Sequence, residues 1–355
     1  MKRIISIFMV VSMVLTAFPA DVFAAVEAGG SAALGEDFDW ANYDWTRYDW
    51  GKDPLAEESE RSRIPLFAQL DYRNSRPVPV KAAGAALSSA EVEQTPDFYI
   101  STAKQLKELA EYVGAGDDRF SAAHYKQTAD IDLSGYKTGG GWTPIGKLAA
   151  PFMGVYDGGN RAVSNLFINR PDTDYQGLFG YVNGKSESAK AQIKNVTVRD
   201  AGIICGGNSG TAAGFCAPLT ETIENCAVEN GSINGGSKSN VGGIAGQAKT
   251  IKYCNFAGDV GGGASTDGIA GTIEKSSTTG EAGISCCYST GSVSGTTGVG
   301  GIAGSIKSGG VVSCCYSTVS VSGSSNVGGA AGVLKRQYHR LRCTWTERDA
   351  HRRSC

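Results

Sequence analysis

Apolar and polar residues alternate along much of this chain with the period of a strand. Val293 stands between Ser292 and Ser294, and Val321 between Ser320 and Ser322, each stretch closed by a glycine. Such alternation sends one set of side chains inward and the other to solvent. Shorter strand-like pieces lie at 125–131, 152–156 and 162–168, with Gly/Asn/Asp turns between them, including Asp157-Gly158-Gly159-Asn160. One segment has the helical period instead. Leu106, Leu109, Ala110 and Val113 fall at i, i+3, i+4 and i+7, Ser101 or Thr102 can cap the run, and Gly114 and Gly116 end it. This spacing predicts a short amphipathic helix over 102–113.

From residue 193 the alternation becomes a repeat. A segment opening with Ile or Val recurs at Ile193, Ile223, Ile251, Ile284 and Val312, in steps of 30, 28, 33 and 28 residues. Four copies carry cysteine three residues after the opener: Cys226, Cys254, Cys287 and Cys315. Later in each unit comes a Gly-x-x-Gly turn, at Gly243–Gly246, Gly268–Gly271, Gly301–Gly304 and Gly329–Gly332, with a bulkier copy at Gly177–Gly180. Units of this length with short strands and glycine turns are too small for propeller blades and lack a helical period. They fit one rung of a parallel β-helix, in which equivalent residues stack about 4.8 Å apart. Glycine at the corner is expected to supply a backbone turn with φ > 0. Asn195 and Asn225 share the position two after the opener, and an internal asparagine stack is expected there.

Composition sharpens this picture. The 355 residues include 49 glycines, about twice average usage, of which 31 lie in 193–334. Collagen is excluded because the glycines have no triplet period. A disordered polyampholyte is excluded by 41% hydrophobic residues and a net charge of −2. Lys2 and Arg3 precede an apolar run from 4 to 18, followed by small residues up to Ala24, which reads as a secretory signal peptide over 1–24. No second apolar run exists, so the mature chain is expected to be exported without a transmembrane segment. The cysteine column is expected to hold structural thiols, since adjacent cysteines such as Cys286 and Cys287 point to opposite faces and no CxxC pair is present.

The repeats carry a resemblance. Gly177-Leu178-Phe179-Gly180, the Gly-Gly-Ile-Ala-Gly turns and the opener Ile223-Glu224-Asn225-Cys226 look like the GLUG-motif repeat family of secreted bacterial proteins. The lead-in supports it: Thr102–Leu106, Ala129–Leu133, Trp142–Gly146, and Phe152 and Gly154 before Tyr156-Asp157-Gly158. The resemblance covers about 97–334. It implies a β-helical surface protein of the kind found in large adhesin-like or cell-wall proteins and upstream of some IgA-cleaving zinc metallopeptidase domains. The repeat itself brings no catalytic residues.

Chemistry is sparse. There is no His-Glu-x-x-His, and His124 is the only histidine before residue 335. Gly298-Val299-Gly300-Gly301-Ile302-Ala303 mimics a dinucleotide fingerprint, but the repeat explains it and no helix follows. β-Helix lyases and hydrolases need acidic residues projecting together from adjacent rungs. Asp130 and Asp132 are the best pair, two apart on one face, and turn and cap hydrogen bonding is their expected role, with a Ca²⁺ site as the alternative. Aromatic-Asp-Trp recurs at a five-residue step, placing Trp40, Trp45 and Trp50 on no single face of a regular element; they form a tether or a sticky segment for glycan or a partner. Trp142 beside Pro144 is expected in the core. No catalytic residue, metal ligand or cofactor is assigned. The candidate ligand-binding residues are Trp40, Trp45, Trp50, Asp130 and Asp132.

The last segment departs from the pattern. Residues 335–355 hold seven of the 33 Lys/Arg against two acidic residues, and no glycine. A basic interaction tail is one reading. The other is a shifted reading frame: codons for 335–343 chosen as AAG CGG CAA TAT CAT CGA CTG CGG TGT read, one base later, Ser-Gly-Asn-Ile-Ile-Asp-Cys-Gly, an opener pattern near the expected step. The coding DNA decides between them.

The sequence thus predicts an all-β chain: a right-handed parallel β-helix with a short N-terminal capping helix. Its parts are a signal peptide (1–24), an irregular leader and linker (25–96), a cap with first rungs (97–192), GLUG-type repeats (193–334) and the anomalous tail (335–355). The expected function is a non-catalytic secreted or cell-surface stalk or adhesin-like binding module, part of a larger protein, with glycans or host or cell-wall proteins as partners and no nucleic acid. The alternatives are a carbohydrate-active β-helix enzyme and the non-catalytic leader of a wall-anchored peptidase. A solenoid ending on a raw rung exposes an unpaired edge. The chain is therefore expected to self-associate end to end, and a monodisperse monomer in light scattering at high concentration would count against it.

Overall fold

The computed structural model describes residue 66 and residues 96–184, 191–205, 211–213, 216–217, 220–237, 240–274, 283–307, 310–334 and 341–342. They form a β-solenoid of about seven turns whose rungs pair in parallel. One wall is a separate five-stranded sheet built from Thr211–Ala213, Asn240–Gly242, Ala264–Asp267, Thr297–Gly300 and Ser325–Gly328, stacked in chain order. Within 96–184, two α-helices precede the repeats, α1 (Ala103–Gly114) and α2 (Asp118–Ser121). Thr102 caps α1 as its sequence predicts. Its hydroxyl accepts from Gln105 N at 3.2 Å, and Gln105 Oε1 accepts from Thr102 N at 3.1 Å, closing a capping box. Leu106, Leu109, Ala110 and Val113 are buried in the same core as Phe98 and Ile100 of the first strand.

The opener column is real and longer than the repeat suggests. Phe98, Tyr125, Tyr156, Ile193, Ile223, Ile251, Ile284, Val312 and Leu341 pair in direct register, one rung to the next. The first three are aromatic, so the column begins well before the repeat is visible as a motif. A second apolar column runs Ile168, Ile203, Ile233, Val260, Val293 and Val321. Each buried side chain contributes roughly 1.5–3 kcal/mol. That exceeds the roughly 1–2 kcal/mol cost of a non-glycine residue in the left-handed region, so the corners follow the columns.

Those corners correct three expectations. The position two after the opener is left-handed in every copy: Asn195, Asn225, Tyr253, Cys286 and Cys314 have φ between 51° and 57°. Asparagine suits this because its short polar side chain tolerates the left-handed region. Asn225 Nδ2 donates to Asn195 Oδ1 at 2.9 Å, and Asn195 Nδ2 to Asp157 Oδ1 at 3.0 Å. The asparagine ladder therefore exists, but on the surface at a corner, since the corner backbone turns these side chains outward. The Gly-x-x-Gly glycines, conversely, do not have positive φ. They are required by close approach: a Cβ on Gly243, Gly268 or Gly301 would lie 2.2–2.3 Å from a carbonyl oxygen of the next rung. Similarly, Asp157-Gly158-Gly159-Asn160 does not separate two strands. It is a bulged corner inside the single strand Val155–Ser164, with a register shift between Asp157 and Arg161.

The cysteine column is a ladder of free thiols. Cys226, Cys254 and Cys287 are buried, and the amides of the three donate to the sulfurs of Cys254, Cys287 and Cys315 at 3.3–3.4 Å. Each thiol donates in turn to a carbonyl two residues back, at 3.1–3.3 Å. Burial pushes the Cys254 thiol far above the ordinary range. The column acts as small apolar filler.

One residue violates the column logic. Gly242, Asp267, Gly300 and Gly328 are stacked equivalents, so an aspartate stands in a glycine column. Asp267 is fully buried, and neither carboxylate oxygen has a well-formed hydrogen bond, although the Gly300 and Gly304 amides lie nearest. Burial raises its pKa well above the ordinary 3.8. A raised carboxyl pKa means the folded chain holds a proton that the unfolded chain gives up, so stability falls as pH rises from about 3.8 towards the folded value. Asp267→Asn should abolish this slope. The variant should melt several degrees above wild type at pH 7–8 and no higher at pH 4; parallel melting curves for the two proteins across that range would show that this carboxyl is not buried.

Candidate functional site

The predicted acidic pair is placed on the surface at the start of the solenoid. Ile131 points into the core while Asp130 and Asp132 on either side point out, as alternation requires. Asp130 Oδ1 accepts from Ala162 N of the next rung at 2.9 Å. Asp132 accepts from the Ser134 hydroxyl at 2.7 Å, the Ser134 amide at 2.9 Å and Asn165 Nδ2 at 2.8 Å, and these hydrogen bonds hold its carboxyl below the usual range. Both carboxylates thus act as struts. Among the described residues no group of three or more His, Cys, Asp or Glu is arranged to hold a metal ion. Trp40, Trp45 and Trp50 lie outside the described residues, as do the signal segment and nearly all of the leader. Trp142 is buried, with its Nε1 donating to Leu178 O at 3.2 Å.

The structure brings together a different set. A cleft of about 320 Å³ opens where the end of α1 meets two loops. Glu111 and Gly114 line it from α1; Thr143, Pro144, Gly146 and Lys147 from one loop; Arg170 and the run Thr173 to Gln176 from the other. Arg170 staples the two loops together, donating to Trp142 O at 2.9 Å and to Gly141 O and Thr143 Oγ1 at 3.3 Å. Gly141 permits this, because a Cβ there would lie 2.1 Å from Phe167 O. Tyr175 is held at φ 60°, an uncommon conformation for a bulky residue, with its ring edge-on to Tyr181 at 5.5 Å. Gln176 is 3% exposed, and its Nε2 donates to Asp174 O at 2.7 Å. That leaves two buried acceptors without a partner, Gln176 Oε1 and Asp174 Oδ1.

The sequence marks Gly114 as a helix stop and Trp142–Gly146 as part of the lead-in, but nothing in it joins these residues into a site, because they belong to no repeat. The available signal was the polar cluster Asp172-Thr173-Asp174-Tyr175-Gln176 immediately before Gly177 in a charge-poor chain. A second exposed feature does follow the repeat. Tyr288 and Tyr316 stack one rung apart, with ring centroids at 5.1 Å and planes 4° from parallel. Tyr253 and Tyr316 are 57% and 58% exposed.

No family model matches the chain. It is 31% identical over 155 residues to a protein of Evansella cellulosilytica provisionally named a Gly-rich membrane protein, covering 42% of this chain and 16% of that protein. It is 31% identical over 139 residues to halomucin of Haloquadratum walsbyi, covering 37% of this chain and 1% of halomucin. The chain therefore spans only a small part of the length of either relative. Among solved structures it is similar to a Bacteroides ovatus chain provisionally named an immunoglobulin A1 protease, with 24% identity and a TM-score of 0.50 over 66% of this chain and 70% of that one. That likeness is one of fold. No helix among the described residues is long and apolar enough to cross a membrane.

Proposed function

We propose that this chain is a non-catalytic, cell-surface β-solenoid of GLUG type, a stalk and adhesin-like binding module within a longer protein, with glycans or host or cell-wall proteins as its partners. The observation that carries the reading is the opener column, paired rung to rung from Phe98 to Leu341. A chain paired in this way is a stiff rod whose rungs each contact only their neighbours, and it presents extended faces to partners. Stacked carboxylates in one repeat position would favour a lyase or hydrolase. Here Asp130 and Asp132 serve as struts, and Asp267 is buried in the wall. The names of the two longer relatives, a membrane protein and a halomucin, support placement at the surface. The provisional protease name of the structural neighbour supports a related role, a non-catalytic leader set before a catalytic domain.

Two measurements on the intact chain test this. A glycan array and a panel of surface proteins should return saturable binding. A reducing-end assay on pectins and host glycans should return no turnover. Turnover that disappears in the double variant Asp130→Asn, Asp132→Asn would overturn the reading in favour of an enzyme.

A further inference from the structure

The cleft beside α1 is a built site whose chemistry selects a ligand. Its two buried acceptors, Gln176 Oε1 and Asp174 Oδ1, have no donor among the described residues. An unpartnered buried acceptor is costly unless another group satisfies it. The Gln176 amide cannot simply turn over, because its Nε2 is fixed by the bond to Asp174 O. A divalent cation fits poorly. Calcium takes six to eight oxygens, and Lys147 and Arg170 line the same cleft and oppose it. An anion fits poorly as well, because Glu111 and Asp174 line it too. Balanced charge, orphan acceptors and an aromatic ring held in a strained conformation suit a neutral polyhydroxylated ring. Its hydroxyls donate to the two acceptors and its apolar face lies on Tyr175. At about 320 Å³ the cleft is at the small end of ligand pockets.

We infer that this cleft is a saccharide subsite that takes a terminal neutral or N-acetylated mono- or disaccharide, with Asp174, Tyr175 and Gln176 as its contact residues. The inference rests on the binding-module reading and gives it a location. Strain at Tyr175 supplies an unusual test, since relieving it should stabilise the fold while removing the ligand contact.

The experiment titrates the intact chain with cellobiose, lactose and chitobiose by calorimetry, alongside thermal melting. At least one sugar should bind saturably. Tyr175→Asn, which tolerates a positive φ, should melt higher than wild type and bind tenfold or more weakly. Gln176→Met, similar in shape but without the acceptor, should also bind tenfold or more weakly. Ser320→Ala, on a distant rung, should bind as wild type does. Sugar binding that both cleft variants leave unchanged would overturn the site but not the module reading. A melting increase with calcium chloride alone, lost in Asp174→Asn, would overturn it in favour of a cation site. No saturable binding to the sugars or to a glycan array would overturn both.

A separate pair of residues marks a modification site. Cys286 and Cys314 are exposed, whereas Cys205, Cys226, Cys254 and Cys287 are buried. They occupy the same corner on adjacent rungs with the same backbone, φ 53° and 54°, and Cys286 N donates to Ser313 O at 3.0 Å. The residues before them, Ser285 and Ser313, are paired in register. Rung spacing of about 4.8 Å falls inside the Cα window of a disulfide, roughly 4.4–6.8 Å.

We propose that Cys286 and Cys314 form an inter-rung disulfide when a low-molecular-weight disulfide is present. One thiolate attacks the external disulfide and releases one thiol. The second attacks the resulting mixed disulfide and releases the other. The protein loses two protons and two electrons, and the oxidant is reduced to two thiols. Treating the intact chain with oxidised glutathione, then digesting and mapping it by mass spectrometry, should yield one cross-link, Cys286–Cys314, with Cys226 and Cys254 still free. The oxidised wild type should melt higher than the reduced form, and Cys314→Ser should show no such rise. Stable glutathione adducts at both positions without a cross-link, or linkage through the buried ladder, would overturn it.

Discussion

Parallel backbone pairing in direct register is the constraint from which the rest of this protein follows. In a globular core a side chain meets neighbours from many elements. Here its environment is set by the equivalent residues one rung above and one below. The same residue type therefore recurs in columns: isoleucine on isoleucine, thiol on thiol, asparagine on asparagine. The pairing also brings carbonyl oxygens within about 2 Å of where a Cβ would lie on the Gly-x-x-Gly turns. That distance, and not backbone handedness, is why those turns are glycine.

This explains what could and could not be read from the chain. Solenoid class, opener column, cysteine column and helix cap were legible because each is a periodic or capping pattern with a local physical cause. Corner handedness was not, since the left-handed residues two after the opener are asparagine, tyrosine or cysteine while the Gly-x-x-Gly glycines are not left-handed. The early openers Phe98, Tyr125 and Tyr156 were hidden because they fill the same column with aromatic rings, which carry no recognisable repeat. The cleft was invisible for a related reason. Its residues come from α1 and two loops, separated by up to 66 positions in the chain, and Arg170 helps to staple the loops together.

Asp267 shows how strict the columns are. A carboxylate fits into a glycine column because the facing positions, Gly300 and Gly304, have no side chains; a Cβ on Gly304 would lie 2.0 Å from Asp267 Oδ2. The site is sterically possible and electrostatically costly, so the proton stays on. Cysteine is better matched to the same geometry. A thiol is small, weakly polar and able to both donate and accept between rungs, so a column of them satisfies itself.

Periodicity also decides where specificity can reside. A face that repeats every 4.8 Å or so offers the same few groups many times, which favours avidity over discrimination. The tyrosine pair at 288 and 316 is of this kind. A selective pocket needs unlike groups converging from different directions, and stacked rungs cannot supply that. It must form where the repeat is broken, and among the described residues such a break stands at the start of the solenoid, where α1 and the Arg170-anchored loops lie against the first rungs. There the rod provides stiffness, the irregular loops provide the unlike groups, and a strained tyrosine stands beside two unsatisfied acceptors.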